Sequence, residues 1–220
     1  VIPLAVEEIQ TGTTIFDWVV PKEWNIRDAY VLDPRGNKVI DFQQNNLHIV
    51  SYSTPVDRIM SLSELQQHLY SIKKLPDAIP YVTSYYKEWW GFCLTHNNRS
   101  KLLDGNYKVV IDSSLESGSL TYGHTLLNAT ENTEKEFLIS SNICHPSMAN
   151  NELTGPIISS FLYRELAKLK DRKYNYRFVF IPETIGSIAY LHKYGREMTR
   201  NCVGGLVVTC CGEEHAVNFK

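Results

Sequence analysis

The chain has 220 residues, 43% hydrophobic and 21% charged, with a formal charge of -2; this is ordinary globular material, long enough for one substantial core or two small ones, and it excludes disordered and fibrous classes. No Lys/Arg-rich run exceeds Lys73-Lys74 and no apolar run approaches the ~20 residues of a membrane span, so nucleic acid and membrane are poor partners and a cytoplasmic location is expected. The cysteines Cys93, Cys144, Cys202, Cys210 and Cys211 are odd in number, irregular in spacing and without a C-x-x-C pair. They are expected as buried thiols, with any metal held by His and oxygen ligands.

Residues 1–10 supply at most one strand. Short β-favouring runs follow at Phe16-Asp17-Trp18, Tyr30-Val31-Leu32, Lys38-Val39-Ile40-Asp41-Phe42 and Leu47-His48-Ile49-Val50, broken by Asp33-Pro34-Arg35-Gly36-Asn37 and Gln43-Gln44-Asn45-Asn46. That pattern reads as β-hairpins in a small β-rich unit. Ser61 and Glu64 have the spacing of a capping box and predict a helix over 62–70, with Pro76 closing the segment. The stretch 79–96 is strongly aromatic. Tyr85, Tyr86 and Trp89 are candidates for a wall against a sugar or peptide, and equally for the core that a small β unit needs.

The texture changes near residue 110. Strands are expected over 107–112 and 119–127, with Ser113 to Ser119 as a flexible turn, and 136–143 is a more continuous apolar run. A helix over 156–169 carries Ile157, Ile158, Phe161, Leu162, Leu166 and Leu169 on one side; strand 176–181, helix 185–194 and strand 203–209 follow. Alternation of strand and helix implies a largely parallel sheet with helices on its faces.

One turn stands apart. Between Ile139 and Pro156 an apolar strand runs into a histidine, a cluster of side-chain amides and a glycine before a helix begins. In α/β proteins such turns collect ligands and catalysts. The string Cys144-His145-Pro146-Ser147-Met148-Ala149-Asn150-Asn151-Glu152-Leu153-Thr154-Gly155, with Pro182-Glu183-Thr184-Ile185-Gly186-Ser187, resembles the co-catalytic zinc aminopeptidases and their glutaminyl-cyclase relatives. More closely it resembles an uncharacterised aminopeptidase-like family often associated with bacterial surface-polysaccharide genes. Phe16-Asp17-Trp18, Pro21 to Tyr30 and Tyr81 to Tyr86 are similar to the β-rich domain which that family inserts near the start of its hydrolase domain.

The resemblance covers nearly the whole chain. It implies a zinc-aminopeptidase-like (phosphorylase/hydrolase-like) α/β fold, a largely parallel three-layer sheet, incomplete here. Residues 1–10 would be the edge of the hydrolase-like domain, 11–110 the inserted β-rich domain and 111–220 the partial aminopeptidase-like domain. It places His145 as a zinc-binding imidazole and Glu183 as the glutamate that takes a proton from the attacking water. An ordinary loop histidine and a helix-start glutamate that complements the dipole are the plainer alternatives.

The departures from the family pattern are all toward neutrality. Asn151 stands for a bridging aspartate, Thr184 for a second glutamate ligand and Thr209 near a further aspartate; Ser147 replaces the aspartate that would hold the histidine tautomer. Neutral oxygens are weak ligands and do not offset the repulsion of two dications ~3.5 Å apart, so one zinc is expected, with Asn151 a weak ligand at best. Glu213, Glu214 and His215 are candidates to add charge at the same sheet edge, or they form a solvated turn. Cys144 reads as structural, because neighbours on a strand point to opposite faces and it should not pair with His145.

The expected activity is one-zinc amide or peptide hydrolysis with Glu183 as general base, on a small peptide, amino-acid amide or amino-sugar substrate. Two alternatives stay open: a metal-depleted, catalytically inactive binding or scaffold protein of the same fold, and a glutaminyl-cyclase-like acyl-transfer enzyme. A homo-oligomer is also left open.

Overall fold

The computed structural model describes residues 2–85, 87–145 and 147–213. The chain divides into two compact units, Val1–Pro21 with Gly118–Lys220 and the continuous segment Lys22–Ser117. The divisions expected at 10/11 and 110/111 lie elsewhere for a concrete reason. The hairpin β2 (Thr14–Ile15) and β3 (Trp18–Val19), which follows β1 (Ala5–Gln10), sends Ile15 and Trp18 into the core of the first unit.

The second unit contains β4 (Glu23–Leu32), β5 (Lys38–Asp41), β6 (Val56–Ser61), the single-turn helix α1 (Leu62–Leu65), β7 (Leu69–Tyr70), β8 (Phe92–Cys93), α2 (His96–Arg99) and β9 (Asn106–Glu116). Its main sheet has the order β5-β4-β9-β6, antiparallel throughout. Alternate residues Tyr107, Val109 and Ile111 of β9 are buried, as a half-solvated sheet requires. The capping box forms, Ser61 N–H donating to Glu64 Oε2 at 2.8 Å and Glu64 N–H to Ser61 Oγ at 3.3 Å. The α-helix ends at Leu65 and a 3-10 turn carries it on through Gln66–His68, short of the expected Tyr70, because Leu69 and Tyr70 pair with Phe92 and Cys93 in a parallel ladder. Ser113 to Glu116 is strand and not flexible turn: β9 pairs with β4 as far as Glu116, and the buried Ser113 hydroxyl donates to the Ser53 carbonyl at 2.8 Å.

The first unit resumes with β10 (Ser119–Leu127), β11 (Glu136–Asn142), α3 (Ala149–Glu152), α4 (Thr154–Lys168), β12 (Asn175–Ile181), α5 (Ile185–Asn201) and β13 (Cys202–Val207). Its five-stranded sheet has the order β1-β10-β12-β11-β13. The pairings β12/β11 and β11/β13 are parallel, as strand-helix alternation predicts, while β1/β10 and β10/β12 are antiparallel. A three-layer arrangement follows from the period of two in β12. Phe178 and Phe180 pack with Ile139 against Leu162 and Leu166 of α4, whereas Val179 and Ile181 pack against Ala189, Tyr190 and Met198 of α5. Each of these phenylalanines contributes about 1.5–3 kcal/mol by leaving water. Ile157, Ile158, Phe161 and Leu169 of the expected apolar stripe on α4 are exposed, because the helix meets the sheet through Gly155, Ser159, Leu162 and Leu166 instead. No helix among the described residues is long and apolar enough to cross a membrane.

A polar network joins α5 to the sheet. Arg177 and Glu136 form a buried bidentate pair at 2.9–3.0 Å, and Arg177 also donates to Tyr190 Oη at 3.1 Å, which lies 2.9 Å from His124 Nδ1. Burial raises the Glu7 carboxyl, but hydrogen bonds from Lys193, Tyr122 and Tyr194 outweigh that and hold it at about 2. Burial also keeps His124 below its ordinary value. Both shifts work in one direction, since the unfolded chain takes up each proton first as pH falls. Stability should decline below about pH 6.5 through His124, and again from about pH 4.5 toward pH 2 through Glu7. Glu7→Gln should cost on the order of 1–3 kcal/mol at neutral pH, measured by urea unfolding. That difference from wild type should shrink between pH 4.5 and 2, and a constant difference would contradict the assignment.

Candidate metal centre

Parallel pairing brings two strand exits to one level. β11 and β12 stay in register to Asn142 and Ile181, and the ladder runs one step further, Ile143 N–H donating to the Ile181 carbonyl at 3.1 Å. Beyond it Glu183 N–H donates to Cys144 Sγ at 3.1 Å, which ties the two turns together. The exit of β13 lies beside them, with Val208 N–H on the Ser140 carbonyl at 2.8 Å. Each of the three turns holds one non-glycine residue in the left-handed region, Ser147 (φ 65°), Thr184 (φ 60°) and Cys210 (φ 52°). Such conformations cost on the order of 1–3 kcal/mol each and persist where the surroundings over-determine them, most often at functional sites.

His145 hangs from the first turn with its ring clamped. Its Nδ1 lies 2.7 Å from Glu152 Oε1, and the other oxygen of that carboxylate accepts Cys144 N–H. Glu152 is only 9% exposed, so the ring faces a buried carboxylate at Nδ1. Glu183 Oε2 stands 3.7 Å from Nε2. Cys144 Sγ flanks the ring, 3.1 Å from Nδ1 and 3.7 Å from Nε2, contrary to the expectation that Cys144 and His145 would not meet. The alternation rule stops with β11 at Asn142, and both residues belong to turn backbone. Burial pushes the Cys144 thiol up to about 12. Sγ lies nearest Nδ1, the nitrogen that Glu152 already faces, and burial keeps the thiol neutral, so a cysteine nucleophile is not supported.

His145, Glu183 and Cys144 offer nitrogen, oxygen and sulfur atoms that lie within 4.8 Å of one another. The 3.7 Å between His145 Nε2 and Glu183 Oε2 places that carboxylate beside the ring nitrogen, where it can act on a water next to an ion held by Nε2. Asn151 brings no charge with which to bridge a second ion. The amides are spent on stitching the turns: Asn151 Nδ2 donates to Cys210 Sγ at 3.7 Å, Gly212 N–H to Asn150 Oδ1 at 2.8 Å, and Asn150 Nδ2 to Glu213 Oε1 at 3.3 Å. Asn151 Oδ1 is buried without a hydrogen-bond partner among the described residues. A cavity of about 470 Å³ opens beside the histidine, lined by Ile143, Cys144, His145, Met148, Glu152 and Leu153 among others.

The DUF4910 family, described as a domain of unknown function, matches this chain over residues 1–220. The chain belongs to the DUF4910 family. A Clostridium acetobutylicum relative, provisionally named as a polysaccharide biosynthesis protein with an aminopeptidase-like domain, is 52% identical over 219 residues, covering 100% of this DUF4910 chain and 50% of the relative. A crystal structure from the same organism, provisionally described as a peptidase, superposes with a TM-score of 0.90 at 52% identity over 97% of this chain and 50% of that one. The zinc aminopeptidase BSAP of Bacillus subtilis superposes with a TM-score of 0.62 at 8% identity, over 93% of this chain and 58% of its own, which shows a shared fold alone. The DUF4910 chain spans about half the length of the relatives it matches. The aminopeptidase-like resemblance read from the sequence therefore holds for family and fold.

Of the expected site residues in this DUF4910 chain, the structure brings His145 and Glu183 together and adds Cys144 and Glu152. Glu213 is exposed, bound to Asn150 and outside the cluster. Glu214, His215 and Tyr86 lie outside the described residues. Tyr85 and Trp89 belong to the second unit, where Tyr85 meets the edge of Tyr52 at 5.2 Å and Trp89 stacks on His68 at 4.6 Å and donates to Tyr70 Oη at 2.9 Å. Glu152 was the residue sequence reasoning missed. Its one signal was a lone carboxylate among amides, directly before the helix.

The cysteines are free thiols, but Cys210 and Cys211 are exposed and not buried as expected; only Cys93 is fully enclosed. In metal-free protein at about pH 8, iodoacetamide should alkylate Cys210 and Cys211 well before Cys144 and Cys93, whose thiols burial pushes up to about 12. Peptide mapping by mass spectrometry reads the order. Labelling of Cys144 as fast as Cys210 would contradict its description as an enclosed, neutral thiol.

Proposed function

We propose that the chain carries a one-metal amide- or peptide-hydrolase centre in which His145 holds the metal and Glu183 is the general base. The observation that supports this is the approach of Glu183 to within 3.7 Å of His145 Nε2, on a ring whose Nδ1 is held by a buried carboxylate. A zinc ion bound there would supply a Lewis acid for the scissile carbonyl and acidify a water. His145 presents the donor nitrogen. Glu183, about half exposed at the strand exit, accepts a proton from the attacking water and passes it to the leaving amine. The apolar lining given by Ile143, Met148 and Leu153 takes an aliphatic portion of the substrate and thins the water around the reacting bond.

The substrate is a small peptide, an amino-acid amide or an amide on an amino sugar. The aminopeptidase-like and polysaccharide-biosynthesis wording attached to the Clostridium relative supports this range. A metal-free scaffold is the second reading, and the uncharged Asn151, Thr184 and Thr209 at the three strand exits favour it.

Metal analysis and hydrolysis of aminoacyl amides by the whole protein separate the two. The hydrolase reading expects about one zinc per chain, and a fall of about 10²–10⁴-fold in kcat/KM for Glu183→Gln with zinc content kept. Full activity in Glu183→Gln would remove Glu183 from its role, and absence of zinc with absence of hydrolysis under zinc-replete conditions would favour the scaffold.

A further inference from the structure

We infer that Glu152 is the positioning residue of this centre: it fixes the proton of His145 on Nδ1 and thereby turns the Nε2 lone pair toward Glu183. The inference rests on the one-metal reading for the use made of that lone pair. The tautomer itself is a property of the metal-free chain.

A buried carboxylate is costly unless its oxygens are satisfied. Glu152 is 9% exposed, and the turn that it faces supplies three donors: Cys144 N–H to Oε2, and to Oε1 both His145 Nδ1–H at 2.7 Å and the more distant Cys144 thiol at 3.8 Å. The Cys144 amide can only donate. The imidazole can do either, so the charge of Glu152 selects the tautomer. The backbone that carries Glu152 is held in place independently of the histidine. Its N–H donates to the Met148 carbonyl at 2.8 Å, and Thr209 Oγ1 donates to the carbonyl of Asn151 at 3.4 Å. Gly155, three residues on, meets the sheet so closely that a Cβ there would overlap the Val208 carbonyl oxygen and Ser141 Oγ. The sheet thus fixes where the carboxylate sits, and the carboxylate fixes the ring. A Glu152 that only tied down the turn would accept Cys144 N–H and leave the imidazole free to choose either tautomer.

Glu152→Gln discriminates these roles with nearly unchanged shape. The amide oxygen must accept Cys144 N–H, which leaves the NH₂ facing Nδ1. Nδ1 then has to accept, and the proton moves to Nε2, where it blocks the lone pair. The test is heteronuclear NMR of the whole protein with ¹⁵N-labelled histidine, metal-free at about pH 8, above the ordinary imidazole range, with His145 assigned by its loss in His145→Gln.

Wild type is expected as the Nδ1–H form and Glu152→Gln as the Nε2–H form. Zinc affinity of the variant, measured by chelator competition, should fall about 10–100-fold. An Nε2–H form in wild type would overturn the inference whether or not the variant folds. A variant that keeps the Nδ1–H form would also overturn it. If wild type shows the Nδ1–H form yet takes up no zinc, the one-metal reading fails and the tautomer assignment stands.

Discussion

The parallel register of β11 on β12 is the constraint on which the candidate centre depends. It is pinned at both ends. Near the strand starts, the buried bidentate pair of Glu136 and Arg177 joins the two strands directly; removing either partner of such a pair typically costs about 3–5 kcal/mol, because the other charge is left buried and alone. Near the strand ends, the Ile143–Ile181 bond and the Glu183 amide on Cys144 Sγ carry the alignment into the turns. A slip by one residue would exchange Phe178 and Phe180 for Val179 and Ile181 between the two helix layers, so the core enforces the same register. With the register set, His145 and Glu183 leave the sheet side by side.

Charge separates this centre from a two-metal one. The turn after β11 offers two asparagines where a dinuclear site needs a bridging carboxylate, and their amide groups bind the exit of β13 instead. Carboxylates could not do this with the same atoms, since Asn151 donates to Cys210 Sγ. The asparagines thus tie the turn after β11 to the turn after β13, while Glu152 and Glu183 bring negative charge to either side of His145. Strain at Ser147, Thr184 and Cys210 is the cost of folding three short turns against one another.

Much of the first unit was legible in the sequence because its signals are local. Apolar patterning marked 136–143, 156–169 and 176–181, and the histidine and glutamate following two of those strands marked the candidate site. What escaped was set by long-range contacts. The capping box at Ser61 predicted a helix correctly, yet pairing of Leu69 and Tyr70 with Phe92 and Cys93 cut it short. The serines at 113 and 114 looked like turn, but β4 was present to pair with them. Glu152 reaches His145 only because the turn between them bends through a left-handed Ser147, and nothing in the spacing of seven residues announces that approach.

The central claim is that one metal ion sits at His145. X-ray anomalous scattering at the zinc edge, on crystals of the whole protein grown with zinc, tests it most directly. The account predicts a single peak per chain on the Nε2 side of His145, facing Glu183. Two peaks at that edge of the sheet, or none on His145 despite zinc in the crystal, would contradict it.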